Sequence, residues 1–304
     1  RLDRAKAEGL LHVVDREEVE IRRRKRRRAG LGIAAIQHMA AEIRVVSAER
    51  IRDELIKIFT RPNPGRGLEL LDQSGLLAVI LPELAAMKGV EQPAEFHPEG
   101  DVFTHVKLML DVMSPNPSVE LAFAVLLHDV GKPPTFQRAA DRIRFNEHER
   151  VGADMTRDIL QRLRFPNDAI DTVVACVAGH MRIRHAQEMR PGKLKQLIAR
   201  PTFPIELELL RLDCLASHGS LENYQFLQRK AAELPTEAIK PAPLVTGHDL
   251  LAMGATPGPL IGQILREIEE RQLDDELTTR EAALAYAADR LPAATAKKSP
   301  PPVA

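Results

Sequence analysis

Apolar residues recur at helical spacing through most of this chain, from Gly30 to about residue 290. One such segment carries apolar side chains at i, i+4, i+7 and i+8, which places them on one helix face: Ile51, Leu55, Ile58 and Phe59. Proline- and glycine-rich breaks such as Arg61–Gly65 separate the segments. The alternating pattern of strands is almost absent. The sequence therefore predicts an all-α fold.

Composition excludes several classes of protein. The 304 residues carry 43 Lys and Arg against 43 Asp and Glu, so the formal net charge is zero and a uniformly basic nucleic-acid binder is excluded. No apolar run reaches the roughly 18 residues of a transmembrane helix, so we expect no membrane partner. The two cysteines, Cys176 and Cys214, exclude a disulfide scaffold and favour a cytoplasmic location.

A block of basic residues, Arg22–Arg28, precedes the helical part of the chain. Such blocks are usually solvated tails, and some contact nucleic acids. A shifted reading frame upstream would give the same block, and the non-Met start at Arg1 suggests a fragment.

Polar residues that continue apolar helix faces are the main functional signal. His128 follows Ala124 and Val125, His180 follows Val173 and Val177, and Asp213 follows Leu209 and Leu210. A single buried histidine can simply bond to a carbonyl group, but a buried carboxylate needs a cation. Together these residues predict a divalent metal site without thiolates, which suits Mn, Fe, Ni, Co or Zn, or Mg through Asp and water.

The segment His128-Asp129-Val130-Gly131-Lys132 gives the strongest local signal. Adjacent His128 and Asp129 can reach one metal if the helix ends there, and Gly131 permits that ending. Lys132 then stands where its ammonium could contact a phosphate oxygen.

At this segment the sequence resembles the HD phosphohydrolase superfamily, an all-α metal-dependent fold. Its pattern of an early His, the His-Asp pair and a distant Asp matches His105, His128-Asp129 and Asp213. His148 and His180 resemble the ligands of a second metal in binuclear members, and a substrate contact or a supporting role remains the alternative. Gly152, one turn beyond His148, leaves room beside that histidine.

The flanks resemble the bacterial poly(A) polymerase and CCA-adding tRNA nucleotidyltransferase family. Residues 46–55 and 67–84 resemble its RNA-binding neck, 93–106 the connection to the HD domain, and 246–270 its C-terminal body. The resemblance implies a division whose parts are an unassigned basic segment (1–29), the neck (30–95), the HD domain (96–235), the body (236–292) and a disordered tail (293–304).

The resemblance implies metal-dependent hydrolysis of 2′,3′-cyclic phosphates, 2′-phosphates or small nucleotide phosphoesters, with tRNA or an RNA 3′ end as partner. Divalent Mg, Mn, Ni or Co would be the cofactor. Asp129 would bind the metal and orient water, and Lys132 would contact phosphate. Arg182 and Arg184 would contact RNA phosphate, unless they are ordinary surface charges.

Two other interpretations stay open. One is an RNA-binding module whose HD site is vestigial. The other is the C-terminal part of a nucleotidyltransferase or poly(A) polymerase, because the family's nucleotidyl-transfer head carries an Asp-x-Asp metal motif that has no counterpart here. We therefore expect no nucleotide addition by this chain alone.

Overall fold

The computed structural model describes residues 32–93, 95, 97–235 and 241–291. Within these ranges the chain is helical apart from one two-stranded hairpin, which confirms the all-α prediction. The basic block at Arg22–Arg28 and the tail after residue 291 lie outside the described residues. No helix in the described ranges is both long and apolar enough to cross a membrane.

The first helices cover the region predicted as the neck. They are α1 (32–39), a 3-10 helix (Ala40–Val45), α2 (Ala48–Thr60), α3 (Pro64–Gln73), α4 (Leu76–Ile80) and α5 (Pro82–Ala85). Ser47 is the N-cap residue of α2, as the sequence predicts. Gly75 separates α3 from α4 with a φ of 75°, a left-handed conformation that glycine adopts without strain.

The middle helices and the turn after the second of them carry the predicted metal ligands except Asp213, which lies on a later helix. They are α6 (Val102–Val112), α7 (Val119–Leu127), α8 (Lys132–Thr135), α9 (His148–Arg162) and α10 (Asn167–Ile183). Ser118 caps α7 by accepting a hydrogen bond from the Leu121 amide, and Pro117 therefore lies just before the cap. The pattern did not reveal the antiparallel hairpin β1 (Phe136–Arg138) and β2 (Ile143–Phe145) between α8 and α9.

The remaining described elements are a 3-10 helix (Ala186–Glu188), α11 (Pro191–Ile198), α12 (Phe203–Ala216), α13 (Glu222–Glu233), α14 (Gly247–Ala252), α15 (Pro259–Leu273) and α16 (Arg280–Arg290). The described chain divides into two compact units. The first contains the residues up to His180 together with Glu208–Ser220, and the second contains Met181–Leu207 and the residues from Leu221 onward.

The core of the first unit surrounds α7. Phe123 of α7 contacts Phe59 of α2 and also Phe165 in edge-to-face geometry, with ring centroids 6.1 and 4.7 Å apart. Every side chain from Ala122 to Leu127 is buried. A helix that is apolar on all sides must lie inside the core, so α7 delivers the residues that follow it to the interior of the unit.

The core of the second unit lies among α14, α15 and α16. Its buried members come from these three helices and the segment before α14: Val245, Leu250, Ile264, Ile268, Ala283 and Ala287. Thr246 and Asp249 form a capping box at the start of α14, in which each residue bonds the backbone of the other. The last helices therefore form a small core of their own.

Candidate metal centre

Three histidines of the first unit are oriented in the same way. The Nδ1–H of His128, His148 and His180 donates to the carbonyl oxygen three residues earlier, at 3.0, 2.8 and 2.7 Å respectively. Because a carbonyl oxygen can only accept, each of these rings carries its proton on Nδ1 when neutral. Nε2 then has a free lone pair, which is the arrangement that a histidine needs to bind a metal.

His148 and His180 present these lone pairs to each other. Their Nε2 atoms are 3.2 Å apart, although neither atom carries a proton in this orientation. Burial, the largest cause, lowers the pKa of both rings, that of His180 to about 3. Two facing lone pairs repel unless a cation lies beside them. Since ligand nitrogens bind Zn²⁺ at about 2.0–2.1 Å, a separation near 3 Å suits two ligands of one ion.

Asp129 lies between this pair and His128. Its Oδ1 is 3.5 Å from His148 Nε2 and 3.7 Å from His180 Nε2, and its Oδ2 is 3.1 Å from His128 Nε2. Burial would raise the pKa of Asp129, but its electrostatic interactions with the His128 ring and the Lys132 ammonium hold that pKa well below its ordinary value. The carboxylate is therefore an anion with only 1% of its residue surface exposed.

His105 and Asp213 extend the centre. His105 Nε2 lies 3.3 Å from Asp213 Oδ1, and the His105 and His128 ring centroids are 5.4 Å apart. Burial alone would lower the pKa of His105, but its contacts with Asp213 and Glu99 raise it to about 9. The structure thus brings together the four residues predicted as metal ligands, His105, His128, Asp129 and Asp213, and the two predicted as a second metal site or substrate contacts, His148 and His180.

The donor set fits a divalent ion. Among the described residues, His105 Nε2 and His128 Nε2 are buried and make no hydrogen bond. Imidazole and carboxylate ligands without sulfur suit Mn, Fe, Co, Ni or Zn. In three groups the ligand atoms lie within 4.8 Å of one another: His97, Glu99 and His105; His105, His128 and Asp129; and Asp129, His148 and His180.

Gly131 is needed for a different reason from the one the sequence suggested. Its φ is −79°, which any residue can adopt, so the helix ending does not require glycine. A Cβ atom at Gly131 would instead lie 2.6 Å from the Gly152 backbone nitrogen and would also collide with the His148 carbonyl oxygen. Gly131 and Gly152 thus bring α9, and with it His148, against the turn that carries Asp129.

Lys132 points into the centre and is not a surface charge. Its Nζ lies 2.7 Å from Asp129 Oδ2 and donates at 2.7 Å to Gln92 Oε1. The ammonium also stands 5.4 Å from the Phe145 ring centroid. In this conformation Lys132 neutralises Asp129, whereas the sequence predicted a phosphate contact for it.

The two predicted RNA-contacting arginines belong to the second unit. Arg182 is exposed and lines a cavity in that unit. Arg184 is half-buried, and its carbonyl oxygen accepts a hydrogen bond from Asn223 Nδ2 at 2.6 Å. Their contact with RNA stays a prediction.

Sequence reasoning missed His97 and Glu99. Glu99 Oε1 accepts from His105 Nδ1 at 2.6 Å and also lies 2.8 Å from His97 Nδ1. The Glu99 side chain is only 5% exposed. The signal was available, because a His and a Glu two residues apart stand just before Asp101, the N-cap of α6 that leads to His105.

Glu99→Gln is expected to weaken divalent-metal binding about 10- to 100-fold, because Glu99 holds the His105 ring with Nε2 toward the centre. Titration of Mn²⁺ into the purified chain, followed by calorimetry, measures the affinity. Glu95→Gln, an exposed carboxylate nearby, serves as the matched control. Equal affinities for the two variants would contradict this role of Glu99.

Comparisons with known proteins give two matching family models. The model described as "Probable RNA and SrmB- binding site of polymerase A" matches residues 33–88, and the model described as "tRNA nucleotidyltransferase domain 2 putative" matches residues 150–288. The first covers nearly all of α1 to α5. The second runs from the start of α9 into α16.

Curated relatives cover most of this chain. The A-adding tRNA nucleotidyltransferase of Deinococcus radiodurans is 34% identical over 270 residues, which are 83% of this chain and 62% of the relative. The CC-adding tRNA nucleotidyltransferase of Thermus thermophilus is 32% identical over 267 residues, 86% of this chain and 61% of the relative. The multifunctional CCA protein of Halorhodospira halophila is 34% identical over 241 residues, 77% of this chain and 57% of the relative.

In the described residues this is a mainly helical chain, in which a segment that matches an RNA-binding family model precedes a buried centre of histidine and carboxylate side chains. This chain belongs to the tRNA nucleotidyltransferase family, and it spans 57–62% of the length of these relatives. Two of these relatives are named for nucleotide addition, so the comparisons favour the nucleotidyltransferase interpretation over phosphoester hydrolysis.

Proposed function

We propose that this chain holds tRNA for a nucleotidyltransferase that adds nucleotides to the tRNA 3′ end. The observation that carries the proposal is the RNA-binding family model over 33–88, followed by relatives named as A-adding and CC-adding enzymes. The printed residues contain no Asp-x-Asp pair, and nucleotidyl transfer needs such carboxylates for its metals. We therefore propose that the segment 33–88 binds and positions RNA and does not itself transfer nucleotides.

The surface of α1 to α5 supports this role. Arg44, Arg50 and Arg61 are exposed cations on these helices or at their ends. Arg52 is anchored differently, since its guanidinium donates to the Arg164 carbonyl oxygen at 2.5 Å and pairs with Asp53. Exposed arginines contact RNA phosphates without reading sequence, which suits a protein that acts on many tRNAs.

Wild-type chain is expected to bind tRNA with micromolar or tighter affinity at about 0.1 M salt, and the affinity should fall linearly with the logarithm of salt concentration. Fluorescence anisotropy of end-labelled tRNA measures both quantities. A DNA duplex of similar charge is the control. Binding of the duplex as tight as that of tRNA would overturn the proposal, and we expect no incorporation of labelled ATP or CTP by this chain alone.

The buried centre favours a second candidate function, metal-dependent phosphoester hydrolysis of HD type. Holding tRNA does not require a buried set of imidazole and carboxylate ligands, so that set needs a separate explanation. A divalent ion held by His105, His128, Asp129 and Asp213 would lower the pKa of bound water and polarise a phosphoryl oxygen. His148 and His180 would hold a second ion or contact the substrate.

The side chains of the centre would have different roles in such a reaction. Asp129, kept ionised by its surroundings, would orient the attacking water by accepting its hydrogen bond. Lys132 would move its ammonium from Asp129 to a substrate phosphate oxygen once other charge neutralises the carboxylate. Small 2′,3′-cyclic or 2′-phosphates at RNA ends are the substrates we propose, and hydrolysis of 2′,3′-cyclic CMP with Mg²⁺, Mn²⁺, Ni²⁺ or Co²⁺ is the assay.

The division into neck (30–95), HD domain (96–235) and body (236–292) is part of this proposal. So is a cytoplasmic location, which both buried cysteine thiols suit because a reducing compartment keeps thiols reduced.

A further inference from the structure

The second unit contains a cavity of about 650 Å³ that no step above uses. It lies between the C-terminal end of α10 and helix α11, and it is lined by Arg182, His185, Glu188, Met189, Lys193 and Arg200, with Gln196 and Leu197. Its volume lies in the range of small-ligand sites, about 300–1,000 Å³. The cavity is therefore large enough for one nucleotide.

The lining of this cavity includes three cationic side chains, those of Arg182, Lys193 and Arg200, and one carboxylate. Arg182 and Lys193 are exposed, and Glu188 is the single acidic lining residue. Lys193 Nζ lies 3.2 Å from Glu270 Oε1, and both of these side chains are about half exposed, so a phosphate could compete for the ammonium. The positive excess of the lining favours an anionic ligand.

The guanidinium of Arg200 is held in place by the buried carboxylate of Glu206. Its Nη1 donates to Glu206 Oε1 and Oε2 at 3.0 and 3.1 Å, and Thr202 Oγ1 donates to Glu206 Oε1 at 2.6 Å. The Glu206 side chain is fully buried, whereas that of Arg200 is 34% exposed. A guanidinium fixed in this way is oriented before any ligand arrives, which lowers the entropy cost of binding.

The cavity also has an apolar part. Of the lining residues, Leu197 is buried with 3% exposure and Met189 is half-buried. An inorganic anion would make no favourable apolar contact with these side chains. A nucleobase would make such contacts with both, because its flat faces are largely apolar and methionine adapts well to aromatic surfaces. In a nucleotide the base is also attached to a phosphate, which the cations of the lining can bind.

We propose that this cavity binds one unpaired nucleotide of an RNA strand. The phosphate lies against Arg182, Lys193 and Arg200, and the base lies against Met189 and Leu197. Glu188 can accept a hydrogen bond from a ribose hydroxyl or a base amino group. This inference rests on the proposed role in holding tRNA and identifies a second RNA contact, separate from the helices of the neck.

The test compares two double variants of equal charge. Arg182→Gln with Lys193→Gln removes two cavity cations without breaking the buried Arg200–Glu206 pair. Arg229→Gln with Lys230→Gln removes two cations from α13 in the same unit, neither of which lines the cavity. Anisotropy of labelled tRNA and of a single-stranded RNA oligonucleotide, each over a salt series, gives affinity and salt slope for both variants and for the wild-type chain.

The cavity variant is expected to bind both RNAs about tenfold more weakly, and its salt slope on the oligonucleotide should fall by about 1.4, or about 0.7 for each lost contact. The control variant should change the affinity less than threefold. Equal losses in the two variants would overturn the cavity assignment while leaving the tRNA role intact. Failure of the wild-type chain to bind tRNA would instead overturn the proposed function itself.

A third variant tests the nucleotide. Met189→Ser is expected to weaken oligonucleotide binding several-fold while leaving the binding of polyphosphate, an anion without bases, unchanged. Equal effects on both ligands would overturn the base contact.

A glutamate-rich peptide should not displace the oligonucleotide from the wild-type chain at equal charge, and displacement would favour an acidic protein partner over RNA.

Discussion

Replacing Asp129 with alanine is expected to weaken divalent-metal binding at least about 100-fold and to abolish metal-dependent hydrolysis of 2′,3′-cyclic CMP. Asp129 is the one residue common to the ligand groups with His105 and His128 and with His148 and His180. Without it, both groups lose the carboxylate that they share, and the second group keeps only the imidazoles of His148 and His180. Calorimetric titration with Mn²⁺ and a chelator-controlled hydrolysis assay measure the two effects.

The same substitution has a cost to folding, because it leaves the Lys132 ammonium buried with Gln92 as its remaining polar contact. Breaking a buried ion pair by removing one partner costs about 3–5 kcal/mol. Asp129→Asn keeps an oxygen beside Lys132 and reduces that cost, so the two variants separate metal binding from stability. The helical circular dichroism spectrum should be retained below the melting temperature.

Asp154→Ala removes an exposed carboxylate from α9 and serves as the matched control. His128→Ala should resemble Asp129→Ala in both assays. Metal affinity and hydrolysis that survive both the His128 and the Asp129 substitutions would show that the centre is assigned to the wrong residues. Loss of metal binding in a chain without any hydrolytic activity would leave a structural metal centre and remove the second candidate function.

Gly131→Ala is expected to destabilise the protein by roughly 3 kcal/mol, near the upper end for overpacking. The new Cβ would lie 2.6 Å from the Gly152 nitrogen and 3.0 Å from its Cα, and these are backbone atoms that no rotamer change can move. Helix α9 must therefore shift, and His148 shifts with it. Metal affinity should fall together with the melting temperature.

Two other glycines allow the expected loss of stability to be ranked across three variants. A Cβ at Gly152 would lie 3.2 Å from the Gly131 nitrogen, so Gly152→Ala should cost less. A Cβ at Gly32 would meet no atom within 4 Å, so Gly32→Ala should be nearly neutral. Thermal unfolding of the three variants measures the order. A Gly131→Ala protein as stable as Gly32→Ala would contradict the close approach of α9 to the turn at Asp129.

The fold class followed from the sequence because helical periodicity is a local property. Ile51, Leu55 and Phe59 show one face of a helix without reference to any other part of the chain. The hairpin escaped prediction because each strand has only three residues, too few for an alternating pattern to stand out. Its position matters nonetheless, since the carbonyl oxygen of Phe145, its last residue, orients His148.

The ligands were partly predictable for the same reason. His128, His180 and Asp213 interrupt apolar faces, and a polar residue on such a face must be buried with a partner. Glu99 escaped because it lies before a helix, where no periodicity assigns a residue to the interior. The contacts of Lys132 with Asp129 and Gln92 escaped prediction because sequence does not tell in which direction a flexible side chain turns at a helix end.

By itself, the sequence determined the helical class and the family resemblance, and it predicted the six residues proposed as ligands. Only the tertiary structure decided that His128, His148 and His180 all present Nε2, that Asp129 joins two ligand groups and that Glu99 orients His105. The physical reason is that periodicity assigns a residue to a face of its own helix. Which helix faces pack against each other depends on how closely their backbones approach. The backbones at Gly131 and Gly152 approach closely, and these residues are distant in sequence.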